Sequence, residues 1–219
     1  MEKFAKAIPS CIVILAVAVV YSVVRYHIFK GEPWDHFPLY IFNKSISLAA
    51  VSLIALSYMA GPLTRLHAGT FSFLLPFRKY YGLLGFGLAA VHIIMSLLIF
   101  SQAYYPKFFE ESGKLNLTGE LSMLFGVLAL FIFFLVAISS LPSVASSMTP
   151  KDWGNLQRQG YLALAVVMLH VFVMGYEGWL RPEGWPGRLL PISLIAFSII
   201  AFTLLLRVVV SLFPVKDQS

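Results

Sequence analysis

The chain has 219 residues, 59% of them hydrophobic and only 12% charged, with a mean hydropathy of +0.83. These values exclude a soluble globular domain and point to a multi-pass membrane protein whose length is used up by about six spans of roughly 20 residues. The single cysteine, Cys11, excludes an internal disulfide and a cysteine-based metal centre, and the net charge of +6 follows membrane topology rather than nucleic-acid binding.

In chain order, Lys3 and Lys6 precede an apolar run from Ile8 to Val24. It is longer than a signal-peptide core and has no small-residue cleavage site, so a retained anchor is expected. Breaks in apolarity, with Gly and Pro punctuation, predict helices over 8–29, 38–60, 77–103, 119–141, 156–177 and 188–213. Gly61-Pro62 reads as the end of the second helix, Pro106 of the third and Pro142 of the fourth, with Pro182 and Pro186 between the last two. The expected fold is an all-α, six-helix transmembrane bundle forming one domain, 1–219.

The Lys and Arg distribution orients this bundle. One side carries Lys3, Lys6, Arg65, Arg78, Lys79, Lys151, Arg158, Arg207 and Lys216 against Glu2, Asp152 and Asp217. The other side is balanced, with seven basic and seven acidic residues, and holds Trp34, Trp179 and Trp185. Cytoplasmic loops carry the basic excess, so both termini are expected in the cytoplasm.

Two histidines stand inside apolar helices. His92 follows Arg78 by 14 residues and His170 follows Arg158 by 12. At about 1.5 Å per residue, both imidazoles sit roughly 18–21 Å above a basic rim, on helices running the same way. An ionisable side chain inside a span is costly and marks a site by default. Two neutral imidazoles at matched depth suit axial ligation of a haem iron. Seven residues before them lie Gly85 and Ala163, small enough to leave room for a flat macrocycle; Gly82, Gly87 and Gly160 add to this, although glycine also serves close helix contacts in membranes.

A second haem nearer the basic side would need imidazoles where Arg78, Lys79, Leu156 and Gln157 stand. None can serve, so one haem per chain is expected, with basic and amide groups that suit a flavin or quinone. His27 and His36 read as interfacial, near Trp34, and His67 as a loop residue. The Gly85, Gly87, Ala90 match to a dinucleotide fingerprint is accidental, since no strand precedes it. Asn116-Leu117-Thr118 is an acceptor sequon on the outer side, relevant only where membrane proteins are glycosylated.

The run Arg78-Lys79, Gly82, His92, then Ser140-Leu141-Pro142-Ser143-Val144, then Gly160-Tyr161 and His170 resembles the ferric reductase-like transmembrane domain, most closely the membrane half of the STEAP metalloreductases. The likeness covers about residues 75–213. The spacing of Trp153, Leu156, Tyr161 and His170 is also similar to the haem-binding membrane subunit MsrQ, which has a histidine where Gln157 stands. In the metalloreductases a flavin-contacting glutamine falls in the register of Leu156, one position earlier.

The resemblance implies one haem b in a haem-binding core over 77–213, with His92 and His170 as axial ligands. It implies electron transfer from a reduced flavin, FAD or FMN, at the cytoplasmic face, with Arg78, Lys79 and Gln157 as candidate flavin contacts. A separate cytoplasmic flavin reductase or NAD(P)H-dependent reductase is implied as donor. The acceptor at the outer face would be a metal chelate, oxygen or a periplasmic protein, and the chain is compatible with a homo-oligomer. The rival readings are an MsrQ-like subunit feeding a periplasmic reductase and a non-redox six-span transporter or structural subunit.

Overall fold

The structure is a computed structural model and describes residues 2–213; Lys216 and Asp217 of the charge count lie outside them. Six long helices carry the fold: α1 Glu2–Ser22, α2 Phe42–Leu66, α3 Arg78–Leu98, α4 Leu117–Ile138, α5 Pro150–Trp179 and α6 Ile192–Leu212. Each belongs to a helical segment long and apolar enough to cross a membrane. Helices satisfy their own backbone groups, which hydrocarbon cannot do. The protein is an integral, multi-pass, all-α membrane protein; among the described residues the only β pairing is an isolated bridge between Phe109 and Leu115.

The bundle is built on α2. Its apolar window is 61% buried against 11–28% for the other five, which makes α2 the central helix and leaves the rest largely to lipid. Helices α1, α3 and α6 pack against it, α4 packs on α5, and α5 on α6. One buried layer joins Ala18, Leu48, Ala49, Val171, Ile192 and Ala196, and another joins Ile54, Tyr58, Phe133, Ala163, Leu164 and Ile200.

Several helix limits differ from expectation for local reasons. Helix α1 starts at Glu2 and contains Pro9 rather than starting at 8. Gly61-Pro62 does not end α2, which runs on to Leu66. Pro62 cannot donate to the carbonyl of Tyr58, and Tyr161 Oη donates to that oxygen instead, at 2.9 Å. Helix α3 stops at Leu98, short of 103, where Phe100 folds back onto Tyr105, Phe108 and Phe109. Pro106 accordingly opens a 3-10 turn, Pro106–Phe108, instead of closing α3.

Helix α4 ends at Ile138, and Pro142 starts the single turn Pro142–Ala145. Helix α5 begins about two turns earlier than predicted. Pro150 occupies its first turn and Thr149 caps it by accepting from Asp152 N at 3.1 Å. Asn116 of the sequon caps α4, accepting from Gly119 N at 2.9 Å.

Candidate functional site

The helices that bear the two histidines, α3 and α5, do not pack directly on one another; α2, α4 and α6 hold them in place. His92 Nδ1 lies 2.7 Å from Asn43 Oδ1, and His170 Nδ1 lies 2.8 Å from the main-chain carbonyl oxygen of Ser122. Neither oxygen carries a hydrogen, so Nδ1 of each ring is the protonated donor and Nε2 bears the lone pair. Neither Nε2 makes a hydrogen bond among the described residues. The rings are half-buried.

Each ring has a second neighbour that fixes its setting. Ser96, one turn beyond His92, accepts from Asn43 Nδ2 at 2.9 Å. Gly126 of α4 underlies His170: a Cβ there would stand 3.3 Å from Nδ1, tighter than most such contacts.

The small residues near the pair serve packing on α2. A Cβ on Gly85 would meet Ile54 N at 2.9 Å and Ala50 O at 3.0 Å, so α2 itself occupies the room beside Gly85 that was expected for a macrocycle. Ala163 is fully buried in the layer with Ile54 and Tyr58. Gly82 backs onto Ser57, and a Cβ on Gly160 would overlap the phenol of Tyr58. Gly87 faces open space.

At the end of the bundle shared by the N-terminus lies a cavity of about 420 Å³ between α2, α3, α4 and α5. Arg78, Lys79 and Gln157 all line it, together with Arg158 and Trp153. Arg78, Lys79 and Arg158 have no carboxylate within ion-pair distance among the described residues. Gln157 spends its amide hydrogens at the C-terminal end of α4 and the two residues that follow it, donating from Nε2 to Ser139 Oγ at 2.8 Å, Ser140 Oγ at 3.1 Å and Val136 O at 3.2 Å. Only its carbonyl is left for a ligand.

The remaining histidines are local. His27 stacks on Trp34 at 4.1 Å, His36 meets Glu32 at 3.1 Å, and His67 caps a single turn by accepting from Thr70 N at 3.2 Å. Sequence reasoning did not single out Asn43, Ser122 or Gly126. An asparagine in the apolar first half of α2 was a signal for the first, whereas a main-chain acceptor such as Ser122 O leaves no trace in residue identity. Beside Asn43, Lys44 Nζ sits 4.2 Å from the centroid of Tyr40, with Tyr26 and Tyr105 around it. Burial pushes the Tyr105 hydroxyl above its ordinary range.

Comparison with known proteins adds a lineage to this geometry. The family described as ferric reductase like transmembrane component matches residues 45–158, just over half of the chain. Metalloreductase STEAP2 of Mus musculus and of Homo sapiens are each 29% identical to it, over 64% of this chain and 34% of the relative. Metalloreductase STEAP3 of Rattus norvegicus is 27% identical over the same shares. The chain thus spans about a third of the length of these curated relatives.

Proposed function

Since the chain belongs to the ferric reductase like transmembrane component family, we propose that it carries single electrons across a membrane, with one haem b held between His92 and His170. The observation that carries this reading is that both imidazoles are pinned at Nδ1 and leave Nε2 free. Two such nitrogens are what would be needed to hold a haem iron, with His92 and His170 as the residues that supply them. They do not suit a metal held by protein alone, and among the described residues no cluster of three or more His, Cys, Asp or Glu offers more ligands. When bound, the haem supplies a one-electron couple. The chain's own part is to fix the tautomer and angle of both rings and to keep lipid and water from them.

In the same proposal the cavity at the basic end receives a flavin nucleotide, with Arg78, Lys79 and Arg158 meeting its phosphates through charge-assisted hydrogen bonds and Trp153 offering an aromatic face. Gln157 is a lesser contact, because its donors are spent at the C-terminal end of α4. The basic excess supports a cytoplasmic position for this end, where a separate reductase would reduce the flavin, and electrons would leave outward with the membrane potential in their favour, by about 2.3 kcal/mol per 100 mV. The relatives are named as metalloreductases, which favours a metal ion or its chelate as acceptor.

The test is a visible spectrum and pyridine haemochrome assay of the purified protein. One low-spin haem per chain, with a Soret band that shifts on reduction, is expected. A colourless preparation from haem-replete cells points to a transporter or structural role, and two haems per chain would overturn the account of the basic cavity.

A further inference from the structure

The two imidazoles are tethered by chemically different acceptors. His170 donates to a main-chain carbonyl, that of Ser122, which the fold supplies whatever the side chain. His92 donates to a side chain, Asn43 Oδ1, at 2.7 Å. Asn43 is 1% exposed, so no water competes for its amide. The amide is also oriented: Nδ2 donates to Ser96 Oγ at 2.9 Å, which turns Oδ1 towards the ring. One buried amide thereby joins α2 to two successive turns of α3.

We infer that Asn43 is the positioning residue of His92, and that through the hydrogen bond to Nδ1 it sets how strongly Nε2 donates to a metal. An acceptor at Nδ1 increases the basicity of the ligating nitrogen, a carboxylate more than an amide and an aliphatic side chain not at all. A more basic ligand stabilises the higher oxidation state of a bound iron. Of the two tethers, the one on His92 is therefore the more open to adjustment by a single side-chain change; at His170 the short contact is the carbonyl, and the only side-chain partner among the described residues, Ser122 Oγ, lies farther off at 3.4 Å. The inference rests on the haem reading proposed above.

Reductive titration of the unaltered protein, Asn43→Asp and Asn43→Leu, with low-temperature electron paramagnetic resonance of the oxidised forms, tests it. Asn43→Asp should make reduction harder and Asn43→Leu easier, each by about tenfold in the equilibrium constant, which is about 59 mV for one electron. Shifts of opposite sign are the signature, since a merely structural role would move both variants the same way. Ser96→Ala keeps the acceptor but frees the amide to turn, and should broaden the resonance of His92-ligated iron without loss of haem. If Asn43→Leu does not fold, Asn43→Ala, which also lacks an acceptor, takes its place in the comparison. Unmoved potentials, or shifts of the same sign, overturn the assignment while the haem reading stands. An unaltered protein without haem removes both.

Discussion

The hydroxyl of Tyr161 donates to the main-chain carbonyl of Tyr58, four residues before Pro62, whose nitrogen has no hydrogen to give. A side chain of α5 thus takes the place of a missing helical hydrogen bond in α2. The two rings meet edge to face, with centroids 4.8 Å apart, so the contact also locks the helices together. Removing the hydroxyl in Tyr161→Phe leaves a buried carbonyl unpaired and should cost about 1–3 kcal/mol. Adding Pro62→Ala restores an amide donor and should recover much of the loss. Thermal unfolding in detergent of the single and double variants checks this, and equal melting of Tyr161→Phe and the unaltered protein would refute it.

The proposed ligation by His92 and His170 makes a selective prediction. His92→Ala and His170→Ala should each lose most of the bound haem or its low-spin spectrum, whereas His27→Ala and His36→Ala should keep both. The controls carry weight because His27 and His36 are engaged with Trp34 and Glu32, away from the pair. A normal low-spin spectrum in either of the first two variants removes that residue from the ligand set.

In the basic cavity, replacing Arg78 and Lys79 together by Gln should weaken flavin binding by tenfold or more, at about 1.5–3 kcal/mol for a hydrogen bond to a charged group. Flavin-driven reduction of haem should slow, with dithionite-driven reduction and haem content unchanged. Calorimetric titration with FAD and with FMN reads the effect directly. Unchanged flavin affinity would return both residues to anchoring the span against the lipid headgroups.

Orientation is tested by labelling. Glu111 is exposed in the segment between α3 and α4, and Glu111→Cys in a Cys11→Ser background should react with an impermeant maleimide from outside intact cells. Gly113 is the poorer site, since its φ of +80° strains any other residue. Labelling only after permeabilisation would reverse the direction of electron flow.

A pH effect is expected in the segment between α1 and α2. Burial raises the pull of Glu32 on a proton, but hydrogen bonds from Lys30 at 2.7 Å and His36 at 3.1 Å outweigh it and hold the carboxyl below its ordinary range. A carboxyl depressed on folding stabilises the fold above its unfolded value of about 4.3, and the contribution is lost as pH falls through the folded value. The melting difference between the unaltered protein and Glu32→Gln should be present at pH 7 and fade below about pH 4. It should be worth less than about 1 kcal/mol, because both partners of the carboxylate are partly exposed. A difference that stays constant down to pH 3 would show that the carboxylate charge is not what matters.

The six spans were legible because each is an unbroken apolar run, and lipid admits only self-satisfied backbones. His92 and His170 were legible because a charged or polar group at that depth is rare enough to stand out. Arg78, Lys79 and Gln157 share a cavity that their register along α3 and α5 already implied. What periodicity could not show was rotation of one helix against another. Gly85 lies two turns from His92 yet presents its bare Cα to Ile54, a fact decided by how α3 rolls on α2. Proline signals misled where the partner was remote or the position favourable: the Tyr58 carbonyl that Pro62 leaves unpaired is met by Tyr161, 103 residues further along the chain, and Pro106 opens a 3-10 turn instead of closing α3.

Pinning both imidazoles at Nδ1 also bears on assembly. A free histidine side chain loses its rotational freedom when a ligand captures it, and that loss opposes binding by about 0.5–1.5 kcal/mol for each immobilised side chain. Here the freedom is surrendered during folding, to Asn43 for one ring and to Ser122 for the other. Whatever the two Nε2 atoms receive therefore meets a pair already aimed, by the docking of α2 on α3 and of α4 on α5, before any prosthetic group arrives.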